Sequence, residues 1–203
     1  MMVDDNGQPI PIIFRPFHEH QGDWFFWGRK HVTDADFIKI WRFTVDYLIK
    51  NKGHHNLLIA FSPSTTTSRQ EYLFRYPGDD YVDILGIDDY MFVNRKEDRQ
   101  QFIQSARMLV LLAREKGKIA ALTETGLERI PNDFWFSKIL LEPLLSDPIA
   151  REIAYAVFWR NADRDHHYAP FPTHPSSVDF LRFSRHWFTV FEGQEPRSWF
   201  SVY

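Results

Sequence analysis

The feature that most constrains the fold is the alternation of short apolar runs with segments of helical periodicity. The apolar runs, which are strand candidates, span residues 10–17, 56–62, 81–87, 118–123 and 153–159. Each run is nearly continuous in apolar residues, which is typical of strands buried on both faces. Strands of this kind that alternate with helices predict a parallel sheet covered by helices.

The segments between the runs predict the covering helices. Helical patterns occupy 37–48, 69–75, 98–116, 134–145, 148–152 and 176–187. Asp34 or Asp36 is expected to cap the first helix. Trp41 and Trp187 lie on predicted helix faces, so both are expected in the core. This order of elements fits an open doubly wound sheet or a (β/α)8 barrel, and the absence of a Gly-rich phosphate-binding motif disfavours nucleotide-binding forms of the open sheet.

Composition narrows the classes of function. The net charge of −3 over 203 residues gives little attraction to nucleic acid or an anionic membrane. No apolar stretch reaches the roughly 18–20 residues of a membrane helix, and the polar, acidic first residues do not resemble a signal peptide. The absence of cysteine excludes disulfides, thiol chemistry and cysteine–metal sites. Aromatic residues make up 17% of the chain, which indicates a large core, a stacking surface, or both.

Polar residues stand where the apolar runs end. In parallel α/β folds, catalytic groups lie at the carboxyl ends of strands and in the loops just beyond. The first, third, fourth and fifth runs lead into Arg15-Pro-Phe-His18-Glu19-His20, Asp88-Asp89-Tyr90, Thr123-Glu124-Thr125-Gly126 and Trp159-Arg160-Asn161. Two glutamates, Glu19 and Glu124, are therefore expected on one rim of the sheet.

Four aromatic residues are expected on the same rim, namely Trp24, Trp27, Tyr90 and Trp159. Paired carboxylates with aromatic platforms are what glycosidic cleavage requires. One carboxylic acid protonates the leaving oxygen, and the other carboxylate attacks the anomeric carbon. A neighbouring Tyr or Arg would keep the nucleophile ionised, while a more apolar pocket would keep the acid protonated.

A metal site is the alternative for the same rim. Side chains two apart on a strand point the same way, so His18 and His20 could bind zinc, with Asp88, Glu124 or His166 as a third ligand. Such a site would leave the nearby tryptophans unexplained. The other paired histidines, His54-His55 and His166-His167, are expected in solvent or as capping groups.

Five segments carry a resemblance to a known family. They are RPFHEHQGDWFFWG at 15–28, NLLIAFSP at 56–63, YPGDDYVDILGIDDY at 76–90, ALTETG at 121–126 and VFWRNA at 157–162. Together they resemble glycoside hydrolase family 26, best known for endo-β-1,4-mannanases. The resemblance spans nearly the whole chain. Its most specific part is the His-Glu pair followed five residues later by Trp24 in a loop rich in Trp and Phe.

The resemblance implies a retaining β-mannanase that needs no metal and no cofactor. Glu19 would be the general acid/base and Glu124 the nucleophile of a double displacement. His18 would help to bind the sugar at the cleavage point. Asp88 and Tyr90 match the Asp-x-Tyr of the family, in which the Tyr hydroxyl touches the nucleophile.

The resemblance also assigns substrate contacts to three further residues. Trp159 would be the platform under the sugar in the −1 subsite, with Arg160 beside it, and Trp24 would flank the site. The implied substrate is β-mannan or a related polysaccharide. An enzyme that resembles this family is expected to be secreted, periplasmic or on the cell surface.

The length of the chain bears on the fold that the resemblance implies. In this family the acid/base follows strand 4 of a (β/α)8 barrel and the nucleophile follows strand 7, so the five runs would be strands 4–8. Five units in 203 residues average about 41, so eight would need roughly 320. Residues 1–203 are thus expected to form a partial catalytic domain that lacks strands 1–3.

An incomplete barrel would expose two sheet edges and an apolar face. The chain alone is therefore expected to be poorly soluble, to self-associate, or to be completed by a missing N-terminal segment. Two alternatives to a mannanase remain: a catalytically inactive mannan-binding fragment, and a metal-dependent hydrolase that uses His18 and His20.

Overall fold

A computed structural model describes residues 3–191, and its centre is a five-stranded sheet. The strands are β1 (Ile12–Phe14), β2 (Leu57–Phe61), β3 (Ile84–Asp89), β4 (Ile119–Thr125) and β5 (Ala156–Phe158). They lie in the sheet in chain order, and each neighbouring pair is parallel. The predicted parallel sheet is confirmed. Several strands are shorter than the apolar runs because hydrogen-bonded pairing covers only part of each run.

Helical segments separate the strands. They are α1 (Asp34–Asp46) with a π-helical turn at Tyr47–Asn51, α2 (Arg69–Tyr72), α3 (Arg99–Lys116), α4 (Glu142–Ser146) preceded by a π-helix at Trp135–Leu141, and α5 (Ser177–Ser184). Single 3-10 turns lie at Asp79–Tyr81, Lys96–Asp98 and Ala150–Glu152. No helix in residues 3–191 has the length and apolar character needed to cross a membrane.

The core lies on both faces of the sheet because side chains alternate along each strand. On β2, Ile59 and Phe61 pack into a large cluster with Phe37 and Trp41 of α1. On the other face, Ala60 forms a small cluster with Ile84 of β3 and Ala121 of β4. The buried position of Trp41 confirms its predicted place in the core.

Two expectations about the helices are wrong. The N-cap of α1 is Thr33, whose hydroxyl accepts a hydrogen bond from the Asp36 amide, while Asp34 and Asp36 lie in the first turn. A hydroxyl just before the first turn accepts a hydrogen bond from an otherwise unpaired amide there. Acidic residues within the turn interact favourably with the positive end of the helix dipole. Trp187 is 64% exposed because α5 ends at Ser184, so its helical periodicity does not continue to residue 187.

The two edge strands carry exposed apolar side chains. Ile13 of β1 and Val157 of β5 are exposed, as are Leu58 of β2 and Ile119 of β4. Within the described residues, β1 and β5 each pair with one neighbouring strand only. The sheet is therefore open at both sides.

Candidate active site

The rim formed by the carboxyl ends of the strands brings together residues that are far apart in the sequence. Asp88 on β3 and Glu124 on β4 are partners in the parallel register, next to an irregularity that begins after Ile87. Asp88 also bridges to Ser64 beyond β2. The pairing of β3 with β4 and with the segment beyond β2 thus fixes the positions of Asp88 and Glu124 at the bottom of the site.

Arg15, directly beyond β1, links these two carboxylates. Its Nη1 donates to Asp88 Oδ2 at 2.7 Å and to Ser62 Oγ at 3.0 Å, and its Nη2 donates to an oxygen of Glu124. The Arg15 side chain is 20% exposed, whereas the two acids are almost fully buried. Arg15 was expected on the rim, and an Arg or Tyr was expected beside the nucleophile, but Arg15 was not identified as that residue. Its position within the polar stretch that ends the first apolar run was the available signal.

Glu124 receives a second donor from Tyr90. The Tyr90 hydroxyl donates to Glu124 Oε1 at 2.8 Å, while Arg15 binds the other carboxylate oxygen. Burial, with the Glu124 charge beside it, raises the pKa of Tyr90 above its ordinary value, so the phenol remains a donor. Both oxygens of the Glu124 carboxyl group are thus bound by side-chain donors.

Asp88 lies beneath the rim, with 2% of its surface exposed. Its carboxylate accepts hydrogen bonds from Arg15, from Ser62 Oγ at 3.1 Å and from Thr123 Oγ1 at 2.8 Å. Asp88 therefore acts in this structure as the buried partner of Arg15, and Arg15 in turn binds Glu124.

Glu19 stands opposite these groups in a turn beyond β1. Its φ is +49°, and that of Phe17 is +47°, both in the left-handed region that non-glycine residues rarely adopt. The Glu19 amide donates to the Ser62 carbonyl at 2.9 Å, and the Gly22 amide donates to the Glu19 carbonyl at 3.1 Å. Trp24 Nε1 donates to Glu19 Oε2 at 3.1 Å, which brings two predicted site residues together.

The pKa of Glu19 is raised above its ordinary value. Burial is the main cause, and the nearby Glu124 charge adds to it. The hydrogen bond from Trp24 and the charge of Arg15 act in the opposite direction. Glu19 is thus suited to remain protonated closer to neutral pH, as a general acid must.

We expect Trp24→Phe to shift the pH dependence of Glu19. The indole stabilises the carboxylate form, so its removal should raise the pKa of Glu19 further. The titration curve of the Glu19 carboxyl carbon, measured by carbon-13 NMR, should then move to higher pH. A Phe26→Leu control in the same loop, where Phe26 is exposed, should leave this curve in place. A downward shift in the Trp24 variant would contradict the assignment.

His18 packs against aromatic rings. Its ring centroid lies 4.8 Å from that of Phe25 and 5.8 Å from that of Trp27. Burial, with Arg15 nearby, lowers the pKa of His18 below its ordinary value. His18 is therefore a neutral hydrogen-bonding group near pH 7.

The rim tryptophans have different environments. Trp24 is 60% exposed. Trp27 is partly buried, stacks on Phe25 at 4.4 Å and donates its Nε1 to the His18 carbonyl at 2.8 Å, so it supports His18 instead of presenting the free ligand surface that we expected. Trp159 is partly buried, Arg160 is exposed, and the Trp159 amide donates to the Thr125 carbonyl at 3.0 Å beside Glu124.

The geometry does not support the His18–His20 metal site. Residues 18–20 form a turn and not a strand, so the two imidazoles lack the expected common direction. The His20 ring is fully buried between Phe37 at 4.8 Å and Phe61 at 5.2 Å, and burial lowers its pKa to about 3. In residues 3–191, no three His, Asp or Glu side chains are grouped so that they could hold a metal ion.

The other histidines differ from one another. His166 is partly exposed and pairs with Glu128 at 2.7 Å. His167 is buried against Phe171 and His174, so its expected position in solvent is wrong. Side chains within the loop 160–174 pack against one another, as His167 does against Phe171 and His174. The sequence pattern did not indicate this packing.

The chain matches known proteins in sequence and in fold. Glycosyl hydrolase family 26 matches residues 2–139. A mannan endo-1,4-beta-mannosidase of Bifidobacterium adolescentis is 42% identical over 127 residues, which are 60% of this chain and 13% of that protein.

Solved structures show the same fold. A GH26 beta-mannanase from Bacteroides ovatus has a TM-score of 0.83 and 40% identity, with 90% of this chain and 52% of that chain covered. An endo-beta-1,4-mannanase double mutant from Cellulomonas fimi has a TM-score of 0.87 and 37% identity, with 93% and 44% covered.

These matches extend over most of this chain but over only part of each relative. The chain spans about half the length of the two solved mannanase chains. The five parallel strands therefore form a curled half-barrel, a fragment of the (β/α)8 barrel that was expected. With the family matched over more than half of its residues, the chain belongs to glycosyl hydrolase family 26.

Proposed function

We propose that this chain carries the catalytic residues of a retaining endo-1,4-β-mannosidase, with Glu124 as nucleophile and Glu19 as general acid/base. The observation that carries the proposal is the contrast between the two carboxyl groups. Arg15 and Tyr90 bind both oxygens of Glu124, whereas burial raises the pKa of Glu19. Double displacement requires one carboxylate held in place for attack and a second carboxyl group that can give up a proton.

In the first step, a Glu124 oxygen attacks C1 of the bound mannosyl unit from the α face. The Glu19 carboxylic acid gives its proton to the glycosidic oxygen as the C1–O bond breaks. The leaving part of the polymer departs with a new hydroxyl, and a mannosyl ester of Glu124 remains. Arg15 and Tyr90 hold the attacking carboxylate in place.

In the second step, Glu19 is a carboxylate and takes a proton from water. The water oxygen attacks C1 from the β face, the ester bond to Glu124 breaks, and Glu124 leaves as the carboxylate. The product keeps the β configuration. A separation of about 5–5.5 Å between the two carboxyl groups accompanies this outcome.

Four residues are proposed to bind the polysaccharide. Trp159 would lie under the sugar in the −1 subsite, and Arg160 would lie beside it. The exposed indole of Trp24 would flank the cleft, and neutral His18 would hydrogen-bond a sugar hydroxyl at the cleavage point. The proposed substrate is β-mannan.

Trapping of the ester tests the proposal directly. A 2-deoxy-2-fluoro-β-mannoside with a dinitrophenolate leaving group should label the chain, and peptide mass spectrometry should place the label on Glu124. The unlabelled chain should release reducing sugar from mannan, excess chelator should not abolish this release, and labelling should abolish it. Retardation in a mannan-containing gel without labelling or sugar release would instead support a binding fragment.

We further propose that the five strands are strands 4–8 of the barrel and that another segment covers the open edges. Exposed Ile13 and Val157 lie on the two edge strands. The isolated chain should therefore show concentration-dependent association in sedimentation velocity and bind an apolar dye. Supplying a segment that corresponds to strands 1–3 should reduce both signals. A chain that is monomeric, unfolds cooperatively and hydrolyses mannan without any added segment would contradict this prediction.

A further inference from the structure

Arg75 is a buried cation, and its contacts converge on one loop. Its side chain is fully buried three residues after the end of α2. Nη1 donates to the His20 carbonyl at 3.3 Å and to the Trp27 carbonyl at 3.5 Å, and Nη2 donates to the Val32 carbonyl. Nε donates to Asp34 Oδ1 at 2.8 Å.

The three carbonyls belong to residues 17–32, which we call the Glu19 loop. This loop carries Glu19 and Trp24 and joins β1 to α1. The planar guanidinium has five donors in a fixed fork, so one side chain can hold several carbonyls at once. Phe37 and Phe74 pack against its faces, with the guanidinium carbon 5.2 Å and 5.5 Å from their ring centres.

The Glu19 loop needs such support because its backbone is strained. Phe17 and Glu19 both have positive φ, and residues in this region persist only when the surrounding structure fixes them. The Glu19 amide is held by the Ser62 carbonyl on one side. The next carbonyl, that of His20, is held by Arg75.

We propose that Arg75 is a positioning residue that holds the Glu19 loop against the sheet and so fixes the Glu19 carboxyl group at the rim. It acts through the backbone at residues 20, 27 and 32 and does not itself reach the rim carboxylates. The consequence of Arg75 for catalysis rests on the proposed function of Glu19. The effect of Arg75 on the position of Glu19 is independent of that function.

The test compares Arg75→Met with Arg42→Met. Arg42 is a matched control outside the loop, since its Nε donates to the Pro77 carbonyl at 2.7 Å and its guanidinium lies over Tyr81. Carbon-13 NMR of labelled glutamate would follow the titration of Glu19, with Glu19→Gln to assign the signal. Amide exchange would follow the Glu19–Ser62 hydrogen bond.

We expect the pKa of Glu19 to fall toward its ordinary value of about 4.3 in Arg75→Met, because the released loop exposes the carboxyl to water. The groups facing Glu19 from β1 and β4, Arg15 and Glu124, remain in place. Exchange of the Glu19 amide should accelerate at least tenfold, whereas amides of β3 should be unaffected. Arg42→Met should match the unsubstituted chain in both measurements.

Arg75→Lys separates geometry from charge. It keeps the cation but loses the fork, so we expect a smaller fall in the pKa of Glu19 in the same direction. An unchanged Glu19 pKa and unchanged amide exchange in folded Arg75→Met would overturn the proposal. Loss of the whole fold in both variants would also overturn it, because Arg75 would then serve the core in general and not the loop.

Leaving-group dependence distinguishes this inference from the proposed function. Glu19→Ala should lose mannan hydrolysis but keep the first step with a dinitrophenyl mannoside, whose leaving group needs no proton. Arg75→Met should show the same pattern with roughly a 100-fold loss on mannan. Full mannan hydrolysis by Glu19→Ala would refute the proposed function. If Glu19→Ala behaves as expected but Arg75→Met matches Arg42→Met, only the role of Arg75 is refuted.

Discussion

Replacement of Glu124 by alanine should reduce mannosyl transfer by roughly 10⁴-fold or more, because it removes the carboxylate that we propose as the nucleophile. The remaining residues, Arg15 and Tyr90, would then face a cavity instead of a carboxylate. The reaction can be measured as reducing-sugar release or as liberation of dinitrophenolate from an activated mannoside. The fold should persist, which circular dichroism would verify.

Azide provides the decisive control for this variant. It fits the space left by the Glu124 side chain and should restore turnover of an activated mannoside, with the product bearing azide on the α face. In Glu19→Ala, azide should instead enter from the opposite side and give the β product. If Glu124→Ala formed the β-azide, the two roles would have to be exchanged.

Glu128→Ala serves as the matched carboxylate control. Glu128 lies four residues further along the chain, in the loop beyond β4, is exposed, and pairs with His166. Its removal should leave the rate unchanged within about twofold, since surface substitutions have small effects. Equal losses in both variants would show that the assay responds to damage of the loop and not to the nucleophile.

Arg15→Met should produce the largest loss of stability among single substitutions on the rim. It leaves Asp88 and Glu124 as neighbouring buried carboxylates without their shared cation. Breaking a buried pair from one side costs about 3–5 kcal/mol, and because Arg15 is partly exposed we expect about 3 kcal/mol. Urea unfolding at pH 7 would measure the change in midpoint and slope.

The pH dependence of this loss has a defined sign. Burial already raises the folded-state pKa of Asp88 above its ordinary value, with the Glu124 charge adding to the shift, and Arg15 opposes it, so removal of Arg15 raises that pKa further. The folded variant then binds more protons than the unfolded chain, so its stability falls as pH rises. The deficit should therefore be smaller at pH 5 than at pH 8, and Asp88→Asn should recover part of it.

Arg69→Met is the matched control for Arg15→Met. Arg69 forms an ion pair with Glu115, but both side chains are about half exposed. Water screens such pairs, so the unfolding midpoint should change little. A comparable loss in the two variants would contradict the special position of Arg15 between two buried acids.

Much of the fold could be predicted from local pattern. The apolar runs at 56–62 and 118–123 lie where β2 and β4 form, because a strand buried on both faces must be apolar at nearly every position. Strand ends were less certain, since β1 occupies only Ile12–Phe14 of the run 10–17. Pairing with a single neighbour limits that edge strand, and the composition of the run does not reveal it.

The candidate site was partly predictable for a similar reason. Glu19, Asp88 and Glu124 follow apolar runs, and parallel strands bring their carboxyl ends to one rim. Local pattern does not reveal the contact of Arg15 with Asp88 and Glu124, which are 73 and 109 positions away. The metal role considered for His20 is not supported, because its ring is buried among aromatic side chains.

By itself, the sequence determined the parallel α/β class, the two glutamates on a common rim and the family, because these depend on the periodicity of apolar residues and on short motifs. Only the tertiary structure decided which charges pair and which are buried. It placed Arg15 between Asp88 and Glu124, gave Glu19 its buried environment, and brought Arg75 to the carbonyls of a distant loop. The physical reason is that pKa and ion pairing depend on distance and desolvation, which chain folding sets and local spacing does not.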